Sequence, residues 1–232
     1  MSQRYYLTSP PIGDQAKLDG DEARHLTRVM RARAGDSLEV FDGQGHWWPA
    51  TVSGINRGTV TLALGDRASE PADCGPRLTL AVALPKGDRQ KWLVEKLTEL
   101  GVDRLVPLQT ARGVAEPTPA ALERLRRGVI EACKQCSRCR LLEIAAPGTL
   151  ASLAATFPQS RRLIADPGGP PLAAVSNSAS EDLLVAVGPE GGFTAEEIAA
   201  AEAVGFTPVS LGRHILRIET AAIAIAAAYR LT

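Results

Sequence analysis

Three stretches of this 232-residue chain carry residue types and spacings able to do chemistry. One is Gly188 to Ile198, GPEGGFTAEEI. It follows the apolar run Leu183–Val187, and its Thr194 and Glu197, three residues apart, form the sequence pattern of a capping box. The order is strand, glycine loop, helix, which places exposed backbone N–H groups at the carboxyl end of a strand, a frequent ligand site in α/β folds. On its own the loop fits two readings equally: a ligand site, or a tight glycine turn with no ligand. The second stretch is Asp166-Pro-Gly-Gly169. The third, Leu211 to Ala221, mixes Ile215, Leu216 and Ile218 with Arg213, Arg217 and Glu219 in a segment without regular periodicity. Apolar loop residues need a surface to pack on: the core, a partner chain, or the adenine of a cofactor. Other familiar chemistries lack their signatures. There is no G-x-S-x-G, no G-x-x-x-x-G-K-[ST] and no H-E-x-x-H, and His25, His46 and His214 have no triad spacing.

The elements that must position these loops follow from periodicity. Residues 77–232 alternate apolar strands with helical segments, which implies an α/β fold with a mostly parallel sheet covered on both faces. Strands are expected at Leu78–Leu84, Leu105–Leu108, Leu141–Ile144, Leu163–Ala165, Leu183–Val187 and Pro208–Leu211. Helices are expected at Asp88–Leu100, at Pro119–Arg138 with Thr118 as N-cap, after Thr194, and from Thr220 to Leu231. In a parallel sheet the three loops would share one edge and converge on one pocket. Residues 1–70 read as a small β-rich domain, with strands at Gln3–Thr8, Ser37–Phe41, Trp47–Ile55 and Thr59–Leu64 and an amphipathic stretch at Asp21–Arg31. Residues 71–76 read as a linker.

Composition narrows the partners. Twenty-six basic and 26 acidic residues balance, so a nucleic-acid partner must be met by a local basic face, and 4% aromatics argue against a large base-stacking platform. Absence of a signal-like start or a long apolar run points to a cytoplasmic protein without membrane contact. Cys133, Cys136 and Cys139 are three ligands where a metal site usually needs four, and no second Cys pair or His-rich stretch lies nearby to complete a set, so they read as reduced cysteines and not as a metal site.

Four spaced motifs carry a resemblance. Lys86–Val102 (KGDRQKWLVEKLTELGV), Glu131–Arg138 (EACKQCSR), Val187–Ile198 and Leu211–Ala221 (LGRHILRIETA) resemble the RsmE family of SPOUT methyltransferases, and His25–Asp36 is similar to that family's PUA-like segment. The resemblance spans essentially the whole chain. It implies a PUA-like β-barrel for RNA, then a mostly parallel sheet with a trefoil knot. It also implies a homodimer that uses S-adenosylmethionine, and no metal, to methylate N3 of a uridine in 16S ribosomal RNA of the small subunit. Carried over by motif, the cofactor residues are Ile164, Gly188, Pro189, Glu190, Gly191, Gly192, Leu211, Gly212, Ile215, Leu216, Arg217 and Thr220. His214 stands where the family usually has Arg. The rival readings are another SPOUT methyltransferase, acting on tRNA or 23S rRNA or at a ribose 2′-hydroxyl, and a non-catalytic RNA-binding assembly factor.

For such a reaction the protein aligns methyl and nucleophile, and the reactive form of uracil N3 is an anion that a nearby cation would favour. Arg217 is the candidate cation; the competing role is bracing, by pairing with Glu190 or Glu219. Glu219 is a candidate acceptor for the N3 proton or a helix-end residue. Phosphate contacts are expected from Arg4, Arg28, Arg31, Lys86, Arg89, Lys91 and Arg138.

Overall fold

The structure is a computed structural model that describes residues 3–70, 75–113, 117–175 and 181–231. The chain forms two units: Met1–Ala72 with Cys133–Leu141, and Asp73–Ala132 with Leu142–Thr232. Residues 71–74 of the expected linker lie outside the described residues.

The first unit contains β1 (Arg4–Tyr6), β2 (Gln15–Leu18), α1 (Gly20–Arg24), β3 (Ser37–Phe41), β4 (His46–Asn56), β5 (Thr59–Leu64) and β6 (Ala68–Ser69). Its sheet runs β1-β3-β4-β5-β2, with β6 on β4. Only the β1–β3 pair is parallel. The turn between β3 and β4 is closed by Asp42, whose Oδ1 accepts from Gln44 N at 2.7 Å and His46 N at 3.1 Å. Inward residues such as Tyr5, Leu18, Val40, Val52 and Leu62 form one core. The amphipathic pattern expected over Asp21–Arg31 holds only as far as Leu26. A π-helical turn spans His25–Val29, and Val29 is 65% exposed where a regular helix would have continued the buried face.

Cys133, Cys136 and Cys139 belong to this unit. Helix α3 (Pro119–Cys136) ends two residues earlier than expected, because Ser137 turns into the left-handed region at φ 64. Cys139 thus leaves the helix. It accepts from an Arg4 guanidinium nitrogen on Sγ at 3.0 Å, and its backbone joins Gly45 and Glu70. Arg4 is consequently buried, within 3.3 Å of Glu39 and over the Phe41 ring, so it is spent inside the β unit and not presented to a phosphate. Among the described residues no group of three His, Cys, Asp or Glu is arranged to hold a metal ion. Burial pushes the Cys133 thiol up to about 12, so at neutral pH it stays protonated. Iodoacetamide at pH 7.5 should therefore label half-buried Cys136 well before Cys133, as read by peptide mass spectrometry.

The second unit contains β7 (Leu78–Val82), α2 (Arg89–Glu99), β8 (Arg104–Pro107), most of α3, β9 (Glu143–Ile144), α4 (Leu150–Thr156), β10 (Arg161–Ala165), α5 (Leu172–Val175), β11 (Leu183–Val187), α6 (Ala195–Ala203), β12 (Phe206–Val209) and α7 (Ile218–Arg230). The sheet order is β12-β10-β11-β7-β8-β9 and every pair is parallel. All five residues of β7 and of β11 are buried, as continuous apolar runs in a sheet covered on both faces require. One face packs Ala81, Val106, Ile164 and Leu184 against α4 and α6. The alternate face receives α7, which also touches α2. Among the described residues no helix is long and apolar enough to cross a membrane.

Candidate functional site

Strands β12, β10 and β11 are neighbours and parallel, so the loops that leave their carboxyl ends are brought together. These loops enclose a cavity of about 410 Å³. Its wall takes Gly188, Pro189, Glu190, Gly191 and Gly192 from the loop after β11, and Leu211, Gly212, Ile215 and Leu216 from the loop after β12. Those nine are residues the sequence singles out. Ile164, Arg217 and Thr220 are not on the wall: Ile164 is fully buried in β10, and its neighbour Ala165 lines the cavity instead. The wall also includes Asp166, Pro167, Arg213 and His214.

The glycines are required by close approach. A Cβ on Gly188 would lie 2.9 Å from the Phe193 ring, and Gly192 and Gly212 have φ of +67 and +114. The turn closes through Gly192 N to Pro189 O at 2.8 Å. The capping box forms as the sequence indicates: Thr194 N donates to Glu197 at 2.8 Å and Glu197 N donates to the Thr194 hydroxyl at 3.2 Å.

Two arginines hold this loop from outside. Arg89, in the first turn of α2, donates to Glu190 at 3.0 Å and lies 3.6 Å from Glu219 Oε2. That Glu219 oxygen is buried and has no hydrogen bond, so Arg89 is its ionic partner across a longer gap. Glu219 is 5% exposed in the first turn of α7, where the helix dipole also favours a carboxylate. It does not line the cavity. The bracing considered for Arg217 is thus performed by Arg89. Arg217 is the N-cap of α7, exposed, with no side-chain partner among the described residues, between the lining residues Leu216 and Ile218.

The second brace is Arg112, which donates to Gly191 O at 2.6 Å, while Ala111 N donates to Glu197 at 2.8 Å. The Glu196 carboxyl, in the first turn of α6, is held below its usual range by its own backbone N–H, by the Thr194 hydroxyl and by Arg112. No local pattern marks Arg112, because its contact spans 79 residues. Arg112→Ala should weaken binding of a ligand in this cavity about three- to tenfold, the worth of one exposed hydrogen bond, with little change in turnover at saturation. Titration calorimetry beside kinetics separates the two quantities.

Of the other expected phosphate contacts, Arg28, Arg31, Lys86 and Lys91 are exposed, while Arg138 is half-buried.

Comparison with known proteins is decisive. Residues 73–230 match the RNA methyltransferase domain family, and residues 18–64 match the RNA methyltransferase PUA domain family. The Synechocystis protein called ribosomal RNA small subunit methyltransferase E is 37% identical over 206 residues, covering 86% of this chain and 67% of that protein. Its Mycobacterium bovis counterpart is 33% identical over 94% of this chain and 87% of its own length. The chain belongs to the ribosomal RNA small subunit methyltransferase E family. It is an RNA methyltransferase, with a PUA-type domain ahead of an α/β domain. A Neisseria gonorrhoeae member of the methyltransferase E family, solved bound to S-adenosyl methionine, superposes with a TM-score of 0.89 at 27% identity over 100% of this chain and 98% of its own. A Legionella pneumophila methyltransferase solved with the same cofactor gives 0.90 at 26% identity over 100% of this chain and 98% of its own.

The cavity fits that group. Its volume lies within the usual range of ligand pockets, roughly 300–1,000 Å³. Ile215 is 89% exposed, an apolar side chain on the wall with room for an adenosine face. Asp166, Arg213 and Glu190, the last paired from outside by Arg89, place charges of both signs on the wall, which suits a ligand that bears a carboxylate beside its sulfonium and ammonium charges.

Proposed function

We propose that this chain uses S-adenosylmethionine to methylate N3 of a uridine in 16S ribosomal RNA of the small subunit. The observation that carries the reading is that the loops after β10, β11 and β12 form one cavity, with an apolar wall that also carries Asp166, Glu190 and Arg213, in a chain of this family. The wall glycines, with Leu211, Ile215 and Leu216, hold the adenosine, and Asp166 favours the cofactor's cationic end. When bound, the cofactor supplies an electrophilic methyl group.

The residues then act on the RNA. Arg217 has no other engagement among the described residues and is placed between two wall residues, so its guanidinium serves the uracil oxygens and favours the N3 anion. Glu219 keeps Arg89 in place, and Arg89 keeps Glu190 in place. N3 lies on the Watson–Crick edge, so the target nucleotide is unpaired or flipped out. Exposed Arg28 and Arg31 serve the PUA-type domain as phosphate contacts. The working form in this reading is a cytoplasmic homodimer with a trefoil-knotted α/β domain.

The test is incubation with isotopically labelled cofactor and either naked 16S rRNA or assembled small subunits, followed by nucleoside mapping. Label on uridine N3 is expected. Label only on ribose, or only on tRNA, would refute the assignment.

A further inference from the structure

The second unit has another cavity, larger than the first. It measures about 910 Å³ and opens between α2 and α3 at the carboxyl ends of β7 and β8. The sheet edge is the one that carries the candidate cofactor site, with β7 hydrogen-bonded to β11. The groove exists because α3 turns small residues toward α2: Ala121 and Gly128 line it, and a Cβ added at Gly128 would be 3.9 Å from Val94.

Its charge pattern is selective. In this unit α2 and α3 carry six basic residues. Arg89, Lys96 and Arg126 each have a carboxylate partner, and none of them lines the groove. Lys91, Arg124 and Arg127 have no ion pair or hydrogen bond among the described residues, and all three line it. Arg124 and Arg127 are three residues apart, on one helix face. The opposing carboxylates on the wall are Asp88 and Glu131, and Glu131 has a partner of its own. Thr110, also on the wall, holds a buried hydroxyl with no hydrogen-bond partner. Gly113 leaves room for that hydroxyl, since a Cβ there would lie 2.7 Å from it.

We propose that this groove seats the RNA strand flanking the methylated nucleotide, with Lys91, Arg124 and Arg127 on its phosphates and Thr110 on a sugar or phosphate oxygen. Guanidinium forks suit phosphate geometry, the ammonium supplies a point charge, and the apolar floor of Val94, Leu108 and Leu125 accepts a ribose or base face. Arg89, which reaches from the helix bordering this groove to Glu190 on the cofactor wall, marks the boundary the strand crosses between the two cavities. The inference rests on the reading of RNA as the substrate.

The test compares wild type with the triple variant Lys91→Ala, Arg124→Ala, Arg127→Ala. A labelled 16S rRNA transcript is titrated over a series of salt concentrations, S-adenosylmethionine is titrated by calorimetry, and mass is followed by sedimentation. The expected result is RNA affinity reduced at least tenfold near 0.15 M salt. The slope of log K against log salt should become shallower by about 2, roughly 0.7 for each lost single-strand phosphate contact, and cofactor affinity should stay within twofold. The double variant Arg124→Lys, Arg127→Lys should keep most of the slope. Unchanged RNA affinity and slope with intact cofactor binding overturn the groove assignment and leave the methyltransferase reading standing. Loss of a dimer in the triple variant assigns the groove to a second copy of the chain and overturns the RNA assignment too. Wild type that binds no RNA at any salt removes both this inference and the substrate reading under it.

Discussion

Replacing Arg217 by alanine should lower kcat by about 10²–10³-fold, the typical cost of removing one pre-organised group that stabilises developing charge. Affinity for S-adenosylmethionine should change less than about threefold. The asymmetry follows from placement. Arg217 is not on the wall of the cavity, yet both of its neighbours in sequence are, and its side chain has no intramolecular partner among the described residues to lose. Its removal therefore leaves the cavity and the Arg89 braces intact. Single-turnover methylation with saturating cofactor, beside calorimetric titration, measures the two effects separately. Equal losses in turnover and cofactor affinity would reassign Arg217 to holding the loop. Arg217→Lys should recover part of the rate, because a point charge at that place still favours the anion, though without the guanidinium fork.

The largest effect on stability is expected at Gly169. A Cβ there would lie 2.6 Å from both Pro208 C and Val209 N and 2.8 Å from Pro208 O. These are backbone atoms of β12, so no rotamer change relieves the overlap. The surrounding chain is also committed: Asp166 N donates to Val209 O at 2.9 Å, and Ser210 N donates to Pro170 O at 2.8 Å. Gly169→Ala should cost about 3 kcal/mol, the upper part of the usual range for overpacking. It should also weaken cofactor binding at least tenfold, since Asp166 and Pro167 of the same loop form part of the cavity wall. Gly168→Ala is the control. Its added Cβ meets only the Asp166 carboxylate, at 2.9 Å, a side chain that can rotate away for the loss of the one hydrogen bond it accepts from Gly168 N. Denaturant unfolding of the two variants without ligand gives the comparison, and equal stability of the pair would show that the β12 backbone yields.

The strand, loop and helix order around the cavity was readable because each signal is local. The run Leu183–Val187 and the pair Thr194 and Glu197 declare their structure within a few residues. The short elements β2, β6, α4 and α5 escaped for want of such a signal, and two of them show why. β2 is four residues long and acquires its identity by pairing with β5, far along the chain. α4 has a working capping box, but with Ser152 in place of the expected Glu or Gln. Side-chain roles were harder still. Arg4, Arg89 and Arg112 are indistinguishable by type from solvent-exposed arginines. Their engagement with Cys139, Glu190 and Gly191 exists only once residues 135, 101 and 79 positions away are brought alongside. The groove between α2 and α3 is hidden for the same reason: its three cations come from two helices whose approach no periodicity reports.

The composition of the first unit has a consequence for synthesis on the ribosome. Its β strands lie within Met1–Ala72, but the peptide that accepts from Arg4 and ties to Gly45, Glu70 and Glu22 is Cys133–Leu141, made roughly 60 residues later. At about 5–20 residues per second the nascent amino-terminal sheet waits roughly 3–12 s for that peptide, its Arg4 guanidinium meanwhile without the Cys139 contact. A fragment cut after residue 72 recreates that waiting state permanently. The amino-terminal unit is thus complete in space only after more than half of the chain has been translated.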